Sequence, residues 1–280
     1  MKLLLILLSL FSMSVWAIDA PDRKLPSTWR EGTYVWDSRS LLNPITQKAE
    51  LALASKQGIK HLYVGLTAEQ VANKAMTRQQ LNELIGRAWS YDMSISLLLG
   101  EPLWIKPEHR SKLLSIIGDY TDLPLYSLVL DLEVEQLGWP VPSETLTHWI
   151  ETVKDAKAKS TRPIELVTHW RWFTPEYETE MHTGVALLAL GIHNVTMMTF
   201  STNTDGIVDI IASSSKRYPS ISFRIAQSVE PQLSTEESWA SGDRNAMQKI
   251  QNLRAHLAGK GFTGIDWQNW EFLKHTELNN

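Results

Sequence analysis

The chain has 280 residues, 43% of them apolar, with 27 Lys and Arg against 31 Asp and Glu, the balance of an ordinary globular protein and not of a disordered or fibrous one. A formal net charge of −4 lacks the basic surplus that nucleic-acid modules carry, so no nucleic-acid partner is expected. The absence of cysteine excludes disulfides, thiolate zinc sites, iron–sulfur clusters and cysteine nucleophiles together.

Residues 1–17 read as an export signal. Lys2 supplies the positive start, Leu3 to Val15 the apolar stretch, and Val15-Trp16-Ala17 the small-residue cleavage pattern. The stretch is shorter than the roughly 20 residues a bilayer-spanning helix needs, and no cysteine follows to carry a lipid. The expectation is a periplasmic or secreted bacterial-type protein without a stable membrane anchor. Residues 18–31 form a lead-in, and 32–280 one folded domain.

From Gly32 onward, short apolar runs alternate with long amphipathic segments. The runs at 32–38, 59–66, 94–99, 125–133, 164–170, 195–201, 222–230 and 263–267 predict eight strands. Helical periodicity follows each, at 46–57, 67–90, 107–120, 143–159, 174–190, 204–218 and 234–260, with a short last helix at 269–278. Thr67, Ser143 and Ser234 precede carboxylates in the first turn, and Gly58, Gly191 and Gly261 stand where helices stop. Eight strand–helix units without a GxGxxG or Walker loop fit a closed parallel (β/α)₈ TIM barrel better than an open doubly wound sheet.

Strand alternation sorts the fourth run into two faces: Leu128, Leu130 and Leu132 toward helices, and Ser127, Val129, Asp131 and Glu133 inward. Two acids then fall at the C-terminal end of the strand, where barrels place catalytic groups. Adjacent like charges raise the proton affinity of one of them, as a general acid requires. Glu135 continues the alternation but precedes Gln136-Leu137-Gly138 and is expected on a loop. On the seventh run Arg224, Ala226, Ser228 and Glu230 face inward, so Glu230 could oppose Glu133 across the mouth. Arg224, deeper inside, needs a counter-charge from Asp131 or Asp266.

Twelve tryptophans are unusual for this length. Trp36, Trp104, Trp139, Trp170, Trp172, Trp267 and Trp270 fall at or beyond strand ends, where indoles could stack on sugar rings while acids meet the hydroxyls. Asp37, His169 and Gln268-Asn269 add polar groups there. Trp36, Asp37, Trp104, His169, Trp170, Trp267 and Gln268 are therefore the candidate substrate-binding residues beside the catalytic candidates Asp131, Glu133 and Glu230. The histidines form no metal-binding pattern, and no cofactor or metal is expected. An oligosaccharide or polysaccharide is the expected partner.

The run Leu128-Val129-Leu130-Asp131-Leu132-Glu133 resembles the end of the Asp-x-x-Asp-x-Asp-x-Glu motif of family 18 chitinase-like glycoside hydrolases. The resemblance implies that Glu133 is the acid, that Asp131 orients a substrate N-acetyl group, and that Trp267 floors the pocket. Phe200, after Met197-Met198-Thr199, stands where that family has a tyrosine, and Tyr126 and Ser127 lie near the places of its earlier aspartates. A second resemblance is to retaining glycosidases with glutamates on strands four and seven, which Glu133 and Glu230 would satisfy, although Leu132 replaces the usual asparagine. Two classes stay open: an exported glycan hydrolase, and a catalytically inactive barrel that binds glycans or a cell-envelope partner.

Overall fold

The computed structural model describes residues 29–175, 182–241, 245–258 and 262–276. The expected export signal lies outside the described residues. Eight strands, β1 (Arg30–Val35), β2 (Ile59–Gly65), β3 (Ser94–Leu99), β4 (Leu128–Asp131), β5 (Ile164–His169), β6 (Asn194–Met198), β7 (Ser222–Ser228) and β8 (Phe262–Gln268), pair in sequence order. Every pairing is parallel, and β8 closes the barrel on β1. Around them run α1 (Arg39–Leu42), α2 (Gln47–Lys56), α3 (Ala68–Ala72), α4 (Lys74–Ser90), α5 (Pro107–Tyr120), α6 (Ser143–Lys159), α7 (Thr183–Ala189), α8 (Thr204–Arg217), α9 (Ala246–Leu257) and α10 (Trp270–Leu273). Among the described residues no helix is long and apolar enough to cross a membrane.

The alternation read from the sequence sorts side chains into two cores. Leu128, Leu130 and Leu132 join the large core between strands and helices, together with Phe223 and Ile225 of β7. Val129 packs inside the barrel with Tyr34, Tyr63, Leu98, Val167 and Ala226. Burying each such aliphatic side chain is worth about 1.5–3 kcal/mol, which holds every strand in the register that aims its alternate residues at the mouth.

One layer toward the strand N-termini the interior is polar. Arg224 donates from Nε to Asp266 Oδ2 at 2.8 Å and from Nη2 to Oδ1, and Thr196 Oγ1 donates to Oδ2 at 3.0 Å. His61 bridges Ser94 and Ser96 at 2.8 and 2.9 Å. Of the two counter-charges open to Arg224, the fold uses Asp266. The guanidinium lies over Gly264, where an added Cβ would stand 2.5 Å from Nη1 and collide with the Arg30 carbonyl oxygen.

Several boundaries move. β1 starts at Arg30, inside the expected lead-in, because Glu31 is held by Arg254 (Nη2 to Oε2, 2.8 Å) and the Arg30 carbonyl accepts from Arg224 Nη2 at 3.2 Å. β4 stops at Asp131, since Glu133 turns left-handed with φ 30° and ψ 59°. β7 stops at Ser228, two residues before Glu230. The helix expected over 67–90 is two, divided at Asn73, while Thr67 caps the first of them reciprocally with Gln70, whose Oε1 accepts from the Thr67 amide at 2.7 Å. The helix expected over 234–260 begins only at Ala246, because buried Trp239 turns inward and donates from Nε1 to Gln227 Oε1 at 2.8 Å.

Candidate functional site

At the end of β4 the backbone delivers Asp131 into the mouth with 5% of its surface exposed. Its Oδ1 has no hydrogen-bond partner. Burial, then the charges of Glu133 and Glu135, raise this carboxyl well above its ordinary range. Glu133 follows in the left-handed turn, a conformation that costs an L residue of order 1–3 kcal/mol and is concentrated at functional sites. The turn runs into a short 3₁₀ segment, Val134–Leu137, that carries Glu135.

Glu135 is the residue that the sequence reading missed. It is half-buried, accepts a hydrogen bond on Oε1 from Trp172 Nε1, and leaves Oε2 buried without a partner. Burial raises its carboxyl above the ordinary value, with the Glu135 backbone and the Trp172 indole pulling the other way. The expected loop position holds, since the chain has left the strand and Glu135 lies on the turn after β4, and the bond from Trp172 replaces strand geometry in keeping it near its two neighbours. The i, i+2, i+4 spacing of Asp131, Glu133 and Glu135 was the available signal.

The next strand places His169 beside them. Its Nδ1 accepts from the Arg171 amide at 3.2 Å, which leaves the ring proton on Nε2. Burial, then the Arg171 charge, push the imidazole down to about 4, so it is neutral at physiological pH. Trp170 packs on the His169 ring at 5.5 Å between centroids. The Arg171 guanidinium lies 5.5 Å from the Trp170 ring and 5.4 Å from that of Trp139, which is 44% exposed.

Glu230 occupies the same rim but a hydrogen-bonded set of its own. Oε1 accepts from Asn269 Nδ2 at 3.0 Å, and its amide donates to Ser228 Oγ at 3.1 Å. Burial raises its carboxyl, and bonds from Gln232, Ser228 and Asn269 oppose that rise. The structure therefore gathers Asp131, Glu133 and Glu135, whereas the charges that act on Asp131 do not include Glu230.

The remaining candidates divide. Trp36 is half-buried at the exit of β1, stacked on Tyr34 at 6.2 Å and 15°. Trp104 lies half-buried on the 3₁₀ turn Pro102–Ile105. Gln268 ends β8, and its carbonyl accepts from the Val229 amide at 2.8 Å. Asp37 is tied to Arg39, whose hydrogen bonds hold the carboxyl below its ordinary value. Trp267 is a correction: it is buried in the outer core and donates from Nε1 to Glu31 Oε2 at 2.9 Å, so it faces the helices and floors no pocket. Strand alternation gives the reason, because Asp266 points inward and its neighbour must point out. Among the described residues no three His, Asp or Glu side chains gather as metal ligands do.

No family model and no curated protein matches the sequence. Solved structures do match in fold. A GH5_18 protein from Streptomyces cattleya, in complex with Manβ1-4GlcNAc, superimposes with a TM-score of 0.59 at 13% identity, over 86% of this chain and 70% of that one. A xylanase from Paenibacillus barcinonensis gives 0.55 at 10% identity over 86% and 84%. A D-allulose 3-epimerase from Methylomonas sp. gives 0.55 at 14% identity over 87% and 84%. Glycoside hydrolases and sugar epimerases thus share this architecture, and at these identities the likeness establishes the fold: the chain is a closed eight-stranded (β/α)₈ barrel.

Proposed function

We propose that this barrel is a glycan-active hydrolase acting outside the cytoplasm, with the acids after β4 as its chemical centre. The observation that carries this is Asp131, a carboxyl with 5% exposure and an unpartnered oxygen, placed among Glu133 and Glu135 at the barrel mouth. Asp266, likewise buried one layer below, is by contrast paired with Arg224.

In this reading burial and the neighbouring charges keep Asp131 and Glu135 protonated at a pH where an isolated carboxyl has lost its proton. Glu133, half-buried at the opening, is the acid that donates its own proton to the leaving glycosidic oxygen. Asp131 stays protonated behind it and donates a hydrogen bond to the substrate or the departing oxygen. Neutral His169 offers Nε2–H as a further donor, and Trp36 and Trp170 provide apolar faces for sugar rings. Glu230, held by Asn269, is the candidate nucleophile or base of a two-carboxylate scheme. A chemistry like that of family 18 would lean on Asp131 instead.

The test is reducing-end release from a panel of oligosaccharides by wild type and Glu133→Gln. General-acid catalysis is worth roughly 10²–10⁴-fold, so turnover should fall by that factor with the fold intact. Survival within about threefold would exclude Glu133 as the acid. A second reading, a barrel that binds glycans without cleaving them, is favoured by Phe200 at the place of the family 18 tyrosine and by the outward-facing Trp267. Binding without release of reducing ends would select it. The exported location is tested by N-terminal sequencing of the periplasmic protein, which should begin near Ile18.

A further inference from the structure

On the same rim, between the exits of β1, β2 and β3, lies a cleft of about 330 Å³ that the acids do not line. Its walls include Trp36 and Trp104, its space is left by Gly65 and Gly100, and Glu101 and Lys112 are its charged lining. The volume is at the small end of the roughly 300–1,000 Å³ of ligand pockets, a size for one ring and not for a chain. Two indoles with a carboxylate and an ammonium match a pyranose, which presents an apolar face and a rim of hydroxyls.

The cleft is physically joined to the acid site. The indole of Trp36 stacks on Tyr34 inside the barrel and lines the cleft. At Gly100 an added Cβ would stand 3.0 Å from Trp36 Cη2 and 3.2 Å from the carbonyl oxygen of Asp131. Gly100 therefore lets the indole lie down between the two spaces and brings the cleft to the backbone of the central acid. The charged lining has capacity to bind: one Glu101 oxygen accepts from the Leu103 amide at 3.2 Å, leaving the other for a ligand, and the Lys112 side chain is exposed.

We propose that this cleft is a second sugar subsite. It takes one pyranose of the glycan whose neighbouring ring meets Asp131 and Glu133, so the chain crosses the mouth from the Trp170 side toward Trp104. The proposal rests on the glycan reading above and adds to it a direction and a preferred length.

The experiment titrates Glu133→Gln protein, which keeps the ligand intact, with cello-, xylo-, manno- and N-acetylchito-oligosaccharides of two to six residues. Affinity is followed by tryptophan fluorescence and calorimetry. The expected result is a step in affinity at one added ring, of about tenfold. Trp104→Ala should abolish that step and leave shorter oligomers unchanged. Ala68→Trp, which fills the cleft from an exposed position on α3, should do the same without touching the core. Oligosaccharides that bind Glu133→Gln with the same length dependence in both cleft variants would overturn the subsite and leave the glycan reading standing. A panel in which nothing binds overturns both.

Discussion

The barrel holds two buried aspartates in adjacent layers, and their surroundings could hardly differ more. Asp266, in the polar layer, receives Arg224 on both oxygens and Thr196 on one. Asp131, at the mouth, keeps Oδ1 without a partner and has two glutamates for neighbours. In the first case the charge is neutralised and becomes part of the scaffold. In the second the cost of burying a charge is left standing as an elevated proton affinity, which is the property acid catalysis uses. Position along the strand decides between these outcomes, because only the C-terminal layer opens to a substrate.

The comparison breaks most severely if the scaffold pair is cut. Arg224→Met leaves Asp266 charged and buried, and Asp266→Ala strands the guanidinium. Each should cost about 3–5 kcal/mol in urea unfolding, whereas the double variant should recover a large part of that loss. Single variants within 1 kcal/mol of wild type would mean that the inner layer is solvated and that the contrast with Asp131 is false.

At the mouth the corresponding single changes should spare the fold and take turnover. Glu133→Gln is expected to lose roughly 10²–10⁴-fold. Comparable loss in Glu230→Gln supports a two-carboxylate scheme, and greater sensitivity of Asp131→Asn on N-acetylated sugars supports a substrate-assisted one. A smaller effect is expected at Trp172→Phe, which removes the donor to Glu135 Oε1 while keeping an aromatic ring in the core. Loss of that hydrogen bond raises the Glu135 carboxyl further, so the alkaline limb of the rate profile, where the acids lose their protons, should move to higher pH. An unmoved limb would place Glu135 outside the chemistry.

What was legible in the sequence was whatever follows from period and count. Eight alternations gave the barrel, and the period of two placed Leu128, Leu130 and Leu132 outside and Val129 and Asp131 inside. Where the backbone leaves its period the reading fails. Glu133 lies in a left-handed turn that no residue type announces, so the strand ends at Asp131, and that the loop after it turns Glu135 back toward its two neighbours does not follow from alternation. Its partner Trp172 is 37 residues away, on the turn after β5, and only closure of the sheet brings them together. Trp267 failed for the opposite reason: its role came from family resemblance, while its own neighbour Asp266, correctly read as interior, already required it to face out.

The smallest effects are the most discriminating, because the two titrating neighbours at the mouth should bend the stability profile in opposite directions. Asp131 has a carboxyl raised above its unfolded value, so the folded state holds more protons than the unfolded one. Its stabilising contribution is complete below the ordinary carboxylate range and is lost as pH rises through the folded value. Asp131→Asn removes that loss and should raise Tm near neutral pH by about 2–4 °C, the shift that roughly 1 kcal/mol produces at this size, while matching wild type at pH 3. His169 runs the other way. Its folded value of about 4 lies below the ordinary 6.5, so stability falls as pH drops from 6.5 toward 4 and the unfolded chain takes up the proton first. His169→Gln should flatten only that window. If Asp131→Asn instead destabilises the protein at pH 7, its carboxylate is compensated as fully as that of Asp266, and the mouth of the barrel is scaffold like the layer beneath it.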